Sequence, residues 1–169
     1  MNRKTVAINI GLRLSQMTNF RVGSVFAILI LLSLSTAAIA QPSNNRSKAQ
    51  AAIRAVLDAQ AAAWNRGDVE AYMDGYDRSP RTEFVGGDSI TRGWQEVLDR
   101  YKQKYDTREK MGTLTFSDLE INMVSGDAAL VLGRWRLKRA SDEPHGTFTL
   151  LFRKTKAGWR IVHDHSSSA

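Results

Sequence analysis

The sequence predicts an α+β domain in which a strongly curved antiparallel sheet wraps around helices from the N-terminal half of the chain. As far as about residue 105, apolar residues recur at spacings of three and four, which is typical of amphipathic helices. From Met111 onward the apolar spacing becomes two, which is typical of strands. The strands are separated by short turn sequences, and such short connections favour antiparallel neighbours.

The first forty residues are predicted to be a secretory signal peptide and not part of this domain. They hold four basic residues and no acidic one, and they end in an apolar stretch at 22–40. Small residues at Ala38 and Ala40 suit a signal peptidase, so we expect cleavage after Ala40 and export to the periplasm or the medium, with no membrane contact afterwards. Two alternatives stay open: a start at Met17, and an uncleaved anchor, because nineteen apolar residues approach the roughly 20 that span a bilayer.

Charge and cysteine content exclude several classes of function. The full chain has 24 basic and 17 acidic side chains, a net charge of +7, but four of the basic residues lie in the predicted signal. The remaining 129 residues then carry 20 basic and 17 acidic groups, a net +3, with no aromatic-interleaved basic stripe. Nucleic acid is therefore not an expected partner. The absence of cysteine excludes thiol catalysis and cysteine-based zinc sites.

The first elements of the exported chain are predicted to be a leader and a helix. Residues 41–48 are polar and contain Pro42, which predicts a disordered leader. A helix begins at Ala49 and ends near Gly67. Its apolar face consists of Ile53, Val56, Leu57, Gln60, Ala61 and Trp64.

Two further helices and a hairpin are predicted before the sheet. Asp68 can cap a short helix that ends at Ser79-Pro80. Residues 82–91 form a small hairpin around a Gly-Gly-Asp turn. The third helix follows, and its apolar face consists of Trp94, Val97, Leu98, Tyr101 and Tyr105.

Four strands complete the predicted domain, at 113–124, 128–139, 146–154 and 158–166. In the first of them the apolar residues switch from even to odd numbers near Ser117-Asp118, which predicts a β-bulge that bends the sheet. In the second, Gly133 is expected to ease curvature or to admit close packing of a helix.

The ending of the chain supplies the candidate catalytic residues. If Lys154 and Trp159 pair across the last turn, His165 lies opposite Phe148, and His163 opposite Leu150, so both histidines share the inward apolar face. An inward histidine has three interpretations: a hydrogen-bonded pocket wall, a ligand-contacting or proton-transferring group, or half of a metal pair. The sequence offers no third ligand, so no metal is predicted.

Aromatic and basic residues supply the candidate ligand-binding set. Aromatic side chains on the helices, facing the sheet, predict an apolar cavity for a small molecule. Arg134 would clamp an anionic ligand if it faced that cavity, and the alternative is a solvent-exposed arginine. The predicted ligand-binding residues are Trp64, Tyr72, Trp94, Tyr101, Arg134, Trp135 and Phe148.

Four segments resemble the nuclear transport factor 2-like superfamily, and within it the SnoaL-like proteins and the association domain of calcium/calmodulin-dependent kinase II. They are AAAWNRGD at 61–68, TRGWQEV at 91–97, GDAALVLGRW at 126–135 and GWRIVHDHSS at 158–167. The resemblance covers about residues 49–167 and implies a SnoaL-like domain there, folded as a cone-shaped, cystatin-like α+β barrel with a deep pocket. It also implies a homodimer that pairs through the outer face of the sheet.

The resemblance leaves three functions open. The first is an exported homodimer that binds a small apolar organic ligand, without a cofactor, between its aromatic residues and the two histidines. The second is an isomerase-like or cyclase-like enzyme that performs proton transfer or hydration and dehydration on a carbonyl compound, with His165 or His163 as base. The resemblance implies a pocket Asp as base in the enzymes of this fold. Here Asp88 falls in a turn, and Asp118 falls at the predicted bulge, which could turn it inward. The inward His165 and its neighbours carry over best. The third is a non-catalytic association module.

Overall fold

A computed structural model describes residues 41–169, with side chains from Asn44 onward. The predicted signal peptide lies outside the described residues and stays a prediction. Residues 44–169 form one compact unit. Within the described part of the chain, the elements are α1 (Gln41–Asn65), α2 (Val69–Met73), β1 (Glu83–Gly86), β2 (Ser89–Arg92), α3 (Trp94–Lys104), α4 (Arg108–Met111), β3 (Thr113–Met123), β4 (Ala128–Lys138), β5 (His145–Thr155) and β6 (Gly158–Ser166).

Helix α1 begins earlier than the sequence suggested. Residues 41–48, predicted to be a disordered leader, are helical. Two side chains near the start of the helix donate hydrogen bonds to the sheet. Arg46 donates to the carbonyl of Met123 over 3.0 Å, and Gln50 donates to the carbonyl of Ile121 over 2.8 Å. These tertiary contacts offset the weak helix propensity of the Asn and Ser residues in the segment.

The predicted amphipathic faces are confirmed. Ile53, Leu57 and Trp64 of α1 are buried, as are Val97 and Leu98 of α3. The side chain of Asp68 caps α2 by accepting a hydrogen bond from the backbone N–H of Ala71. The short helix α4, capped by Thr107, was not predicted.

The sheet confirms the predicted α+β class. Over residues 41–169 it has six strands in the order β2-β1-β6-β5-β4-β3, and it is curved and unclosed. The four long strands are antiparallel neighbours, as expected. The hairpin of β1 and β2 joins them through a parallel pairing of β1 with β6. The sequence does not predict this pairing, because short connections indicate only antiparallel pairs between consecutive strands.

The predicted β-bulge in β3 is also confirmed. The register between β3 and β4 shifts between Ser117 and Glu120, and Asp118 adopts a φ of 51°. Gly133 lies opposite the bulge. A Cβ atom there would lie 2.5 Å from the ring of Phe148 and 2.7 Å from a methyl group of Leu119. The absence of a side chain at Gly133 therefore leaves room for two side chains of neighbouring strands, and not for a helix.

None of the helices in the described part of the chain has the length and apolar character needed to cross a lipid bilayer.

Candidate functional site

A cavity of about 310 Å³ lies between the helices and the inner face of the sheet. Helices α1, α2 and α3 supply part of its wall, and strands β1 and β3 to β6, with adjoining loops, supply the rest. Nine of its 21 lining residues are aromatic. The aromatic lining residues are Trp64, Tyr72, Tyr76, Phe84, Tyr101, Tyr105, Phe116, Trp135 and Phe148.

The helix-side aromatic rings hold one another in place. The ring of Trp64 meets those of Tyr72 and Tyr105 edge to face, at centroid distances of 5.1 and 4.7 Å. The ring of Tyr101 meets those of Tyr72 and Phe84 in the same way, at 5.3 and 5.8 Å. Because such edge-to-face pairs are directional, this side of the cavity is shaped before any ligand enters.

The carboxylate of Asp164 is the acidic group of this cavity, and it is 3% exposed. Tyr76 donates a hydrogen bond from its hydroxyl to Oδ2 over 2.6 Å, and Ser166 donates from its hydroxyl to Oδ1 over 2.7 Å. The Tyr101 hydroxyl lies 3.5 Å from that of Tyr76. Since the Tyr76 hydroxyl donates its hydrogen bond to Asp164, the Tyr101 hydroxyl is the donor in this second, longer contact or is free to donate to a ligand.

Burial has the largest effect on the pKa of Asp164. It raises the pKa of the Asp164 carboxyl, because the charged form loses water, although the hydrogen bonds from Tyr76 and Ser166 and the positive charge of Arg100 act in the opposite direction. Burial and the negative charge of Asp164 raise the pKa of Tyr76, and burial raises that of Tyr101, both well above the usual value. Both phenols therefore stay neutral hydrogen-bond donors beside the carboxylate.

A β-bulge in β6 turns Asp164 inward. Lys154 pairs with Trp159, as predicted, but between Phe152↔Ile161 and Leu151↔His163 the register slips by one residue. Val162 is the extra residue. Ile161 and Asp164 are consequently both buried, although three positions separate them, and in an unbroken strand residues three apart face opposite ways.

The predicted inward orientation of the two histidines is therefore wrong. Leu150 lies opposite Asp164, and His165 lies opposite Thr149 and is exposed. His163 points to the hairpin, where its Nδ1 lies 3.1 Å from a carboxylate oxygen of Glu83. Neither histidine lines the cavity, so their catalytic role stays a prediction without support from position.

Five of the seven predicted ligand-binding residues line the cavity: Trp64, Tyr72, Tyr101, Trp135 and Phe148. The other two do not. Trp94 packs outside, where its indole donates to the carbonyl of Met73 over 2.9 Å and Arg78 stacks on its ring at 4.2 Å. Arg134 is exposed and forms an ion pair with Asp118 over 3.1 Å. Neither Trp94 nor Arg134 lines the cavity.

Sequence reasoning did not place three charged lining residues in the cavity: Arg100, Lys104 and Asp164. The charge pattern of α3 predicts that Arg100 and Lys104 lie on its solvated face. However, Arg100 lies three positions after the buried Val97 and Lys104 lies three after Tyr101, close enough to share a helix face with them. The alternation rule placed Asp164 outside, and the apolar pattern carries no signal for the bulge that reverses it.

Within the described residues, His, Asp and Glu side chains do not gather in groups of three that could hold a metal ion.

Comparisons with known proteins agree on the fold. The model of the SnoaL-like domain family matches residues 53–169. An NTF-2 like protein of unknown function from Shewanella oneidensis is 41% identical, with 75% of this chain and 99% of that chain covered and a TM-score of 0.64. No curated protein matches the chain.

Two solved structures with enzyme-related descriptions are similar in fold alone, since they are less than 25% identical. One is a putative scytalone dehydratase from Novosphingobium aromaticivorans, at 11% identity, 75% and 88% coverage and a TM-score of 0.64. The other is a ketosteroid isomerase-like protein from Erwinia carotovora, at 22% identity, 70% and 94% coverage and a TM-score of 0.55.

Proposed function

The chain belongs to the SnoaL-like domain family of the nuclear transport factor 2-like superfamily, and from that membership we propose that it binds a small, largely apolar organic molecule in the aromatic cavity. The observation that carries this proposal is a cavity of about 310 Å³ with nine aromatic side chains in its lining and a buried carboxyl group beside tyrosine hydroxyls. An apolar enclosure with few convergent polar groups is the usual form of a small-molecule site.

The polar groups define what such a ligand must offer. A hydrogen-bond donor would satisfy a free lone pair of Asp164, and an acceptor would take the hydrogen of the Tyr101 hydroxyl. The proposed ligand is therefore an aromatic or alicyclic molecule with at least one hydroxyl, amide or carbonyl group. Export after cleavage at Ala40 and pairing into a homodimer belong to the same proposal.

Titration of the purified protein with 2-naphthamide tests the binding proposal. This probe is neutral, has an aromatic body and carries both a donor and an acceptor. We expect saturable binding by calorimetry, and we expect affinity at least tenfold weaker in Leu150→Phe, because Leu150 lines the cavity and a larger side chain fills it.

Leu132→Phe is the matched control, since Leu132 is 39% exposed, and it should bind the probe like the parent protein. Circular dichroism verifies that both variants fold. An absence of binding in the parent protein, or equal binding in Leu150→Phe, would contradict the proposal.

Proton transfer is a second candidate function, favoured by one observation: Asp164 is a buried carboxyl group with a raised pKa in a cavity rich in aromatic side chains, as general bases often are. In this reaction Asp164 takes a proton from a carbon next to a carbonyl group. The electrons of the broken C–H bond form a C=C bond, and the negative charge moves to the carbonyl oxygen, where the Tyr101 hydroxyl stabilises it. In a β,γ-unsaturated ketone, Asp164 then returns the proton to the γ-carbon while the electrons on oxygen re-form the C=O bond, which gives the α,β-unsaturated isomer.

Deuterium exchange of 2-tetralone, a bicyclic ketone, tests this second candidate. In D₂O we expect the protein to speed exchange of the hydrogens next to the carbonyl, and Asp164→Asn to lower that rate by about 10²–10⁴-fold. The rate should rise with pH as the Asp164 carboxyl ionises. Asp118→Asn, which removes an exposed carboxylate, should leave the rate unchanged. Exchange no faster than in buffer would exclude this function and leave the binding proposal standing.

A further inference from the structure

Two cations of helix α3 line the solvent side of the cavity. Arg100 and Lys104 stand one helical turn apart, and both contribute to the lining. Arg100 is half-buried and Lys104 is exposed, whereas Asp164 is buried. The cavity therefore has a positively charged mouth and a carboxylate in its interior.

Neither cation has an acidic partner. Over the described residues, no carboxylate lies within ion-pair distance of Arg100 or Lys104, while Lys102 on the same helix pairs with Glu70, and Arg92 of the hairpin pairs with Glu83. Like charges at this spacing on a helix repel one another. Partial burial and the nearby charges of Arg100 and Arg139 lower the pKa of Lys104. The buried Asp164 carboxylate interacts with the charge of Arg100 but forms no ion pair with either cation, so an anion from outside can still bind them.

Aromatic rings hold these cations in position without neutralising them. The guanidinium of Arg100 stacks on the ring of Phe84 at 4.2 Å, and the ammonium of Lys104 lies 5.4 Å from the ring centre of Tyr105. Such contacts orient a cation and leave its outward hydrogen-bond donors free. Phe84 and Tyr105 also line the cavity, so the apolar wall and the charged mouth are continuous.

We propose that Arg100 and Lys104 bind an anionic group of the ligand, a carboxylate, sulfonate or phosphate, while the apolar body of the ligand fills the aromatic cavity. This inference rests on the proposed binding function and names the chemical class of the ligand. Two cations on adjacent turns match the two or three oxygens of such a group. The anion lies at the mouth because Asp164 would repel it in the interior.

A comparison of 2-naphthoate with 2-naphthamide tests the inference, because the two probes share one aromatic body and differ in charge. We expect the parent protein to bind 2-naphthoate at least tenfold more tightly at pH 7.5 and low salt, and we expect this preference to shrink as salt is raised. The double variant Arg100→Gln/Lys104→Gln should bind both probes with equal affinity.

Lys102→Gln is the matched control, since it removes one positive charge from the same helix at a residue paired with Glu70, and it should keep the preference. If the double variant does not fold, Lys104→Gln alone, at an exposed position, should still lower the preference severalfold. Equal binding of both probes by the parent protein, or a preference that survives in the folded double variant, would overturn the inference and leave the binding function standing. No binding of either probe would overturn both.

Discussion

Asp164 is a buried ionisable residue, which lowers stability when it is charged but is suited to a functional site. It is 3% exposed, and its carboxyl group accepts hydrogen bonds from the hydroxyls of Tyr76 and Ser166. The hydrogen bonds favour the ionised form, but loss of water is the larger effect, and the net result is a raised pKa. A group of this kind makes the ionised folded state less stable than a neutral side chain would, and that cost is typical of functional sites.

The first residue-scale prediction is that Asp164→Asn stabilises the protein at neutral and alkaline pH. Because the carboxyl pKa is higher in the folded than in the unfolded state, the folded state binds the proton more tightly, and ionised Asp164 lowers stability once the pH exceeds both values. We expect a gain of about 0.5–2 kcal/mol at pH 8, in the range of single stabilising substitutions. Denaturant unfolding at several pH values measures it.

The gain should shrink as the pH falls through the folded pKa towards the unfolded value, since the carboxyl of the parent protein then becomes neutral as well. Asp118→Asn is the control, because it removes a carboxylate that is exposed and paired with Arg134. Its effect should stay below about 1 kcal/mol. A lower stability of Asp164→Asn at every pH would mean that the hydrogen bond from Tyr76 outweighs the cost of burial.

At the scale of secondary structure elements, two β-bulges set the inner face of the sheet. The bulge in β3 was predictable because the residues that change face there are apolar, so the pattern itself shifts from even to odd numbers. The bulge at Val162 was not predictable, because the residues whose orientation it changes are polar: Asp164 turns inward, and His163 and His165 turn away from the cavity. A hydrophobic pattern reports only the positions that carry apolar residues.

The element-scale prediction concerns Gly133, where β4 passes the bulge of β3. A methyl group there would lie 2.5 Å from the ring of Phe148, so Gly133→Ala should lower the free energy of unfolding by about 1–3 kcal/mol, as overpacking does. Because Phe148 lines the cavity, the shifted ring should also weaken binding of 2-naphthamide. Gly126→Ala is the control: its Cβ would meet nothing within 4 Å. Equal stability of the two variants would show that Phe148 moves aside freely.

At the scale of the whole molecule, the positions of the basic residues are more informative than the net charge of +7. The net +7 includes four unopposed basic residues in the predicted signal peptide, and export, like pairing into a homodimer, stays a prediction. In the folded domain, what matters is where the cations lie. Arg134 and Arg92 are paired at the surface, whereas Arg100 and Lys104 stand unpaired at a cavity. The location of these two cations, and not the total charge, is the basis for proposing an anionic ligand.

The sequence by itself determined the α+β class, the boundaries of the long strands, the buried faces of α1 and α3, and most of the aromatic lining. These features follow from the periodicity of apolar residues, which each segment carries in its own sequence. Only the tertiary structure decided that Asp164 and not His163 or His165 faces the cavity, that β1 pairs with β6, and that Arg100 and Lys104 stand at the mouth. Those outcomes depend on strand register and on contacts between residues far apart in the chain, and a shift of one residue in register exchanges the two faces of a strand.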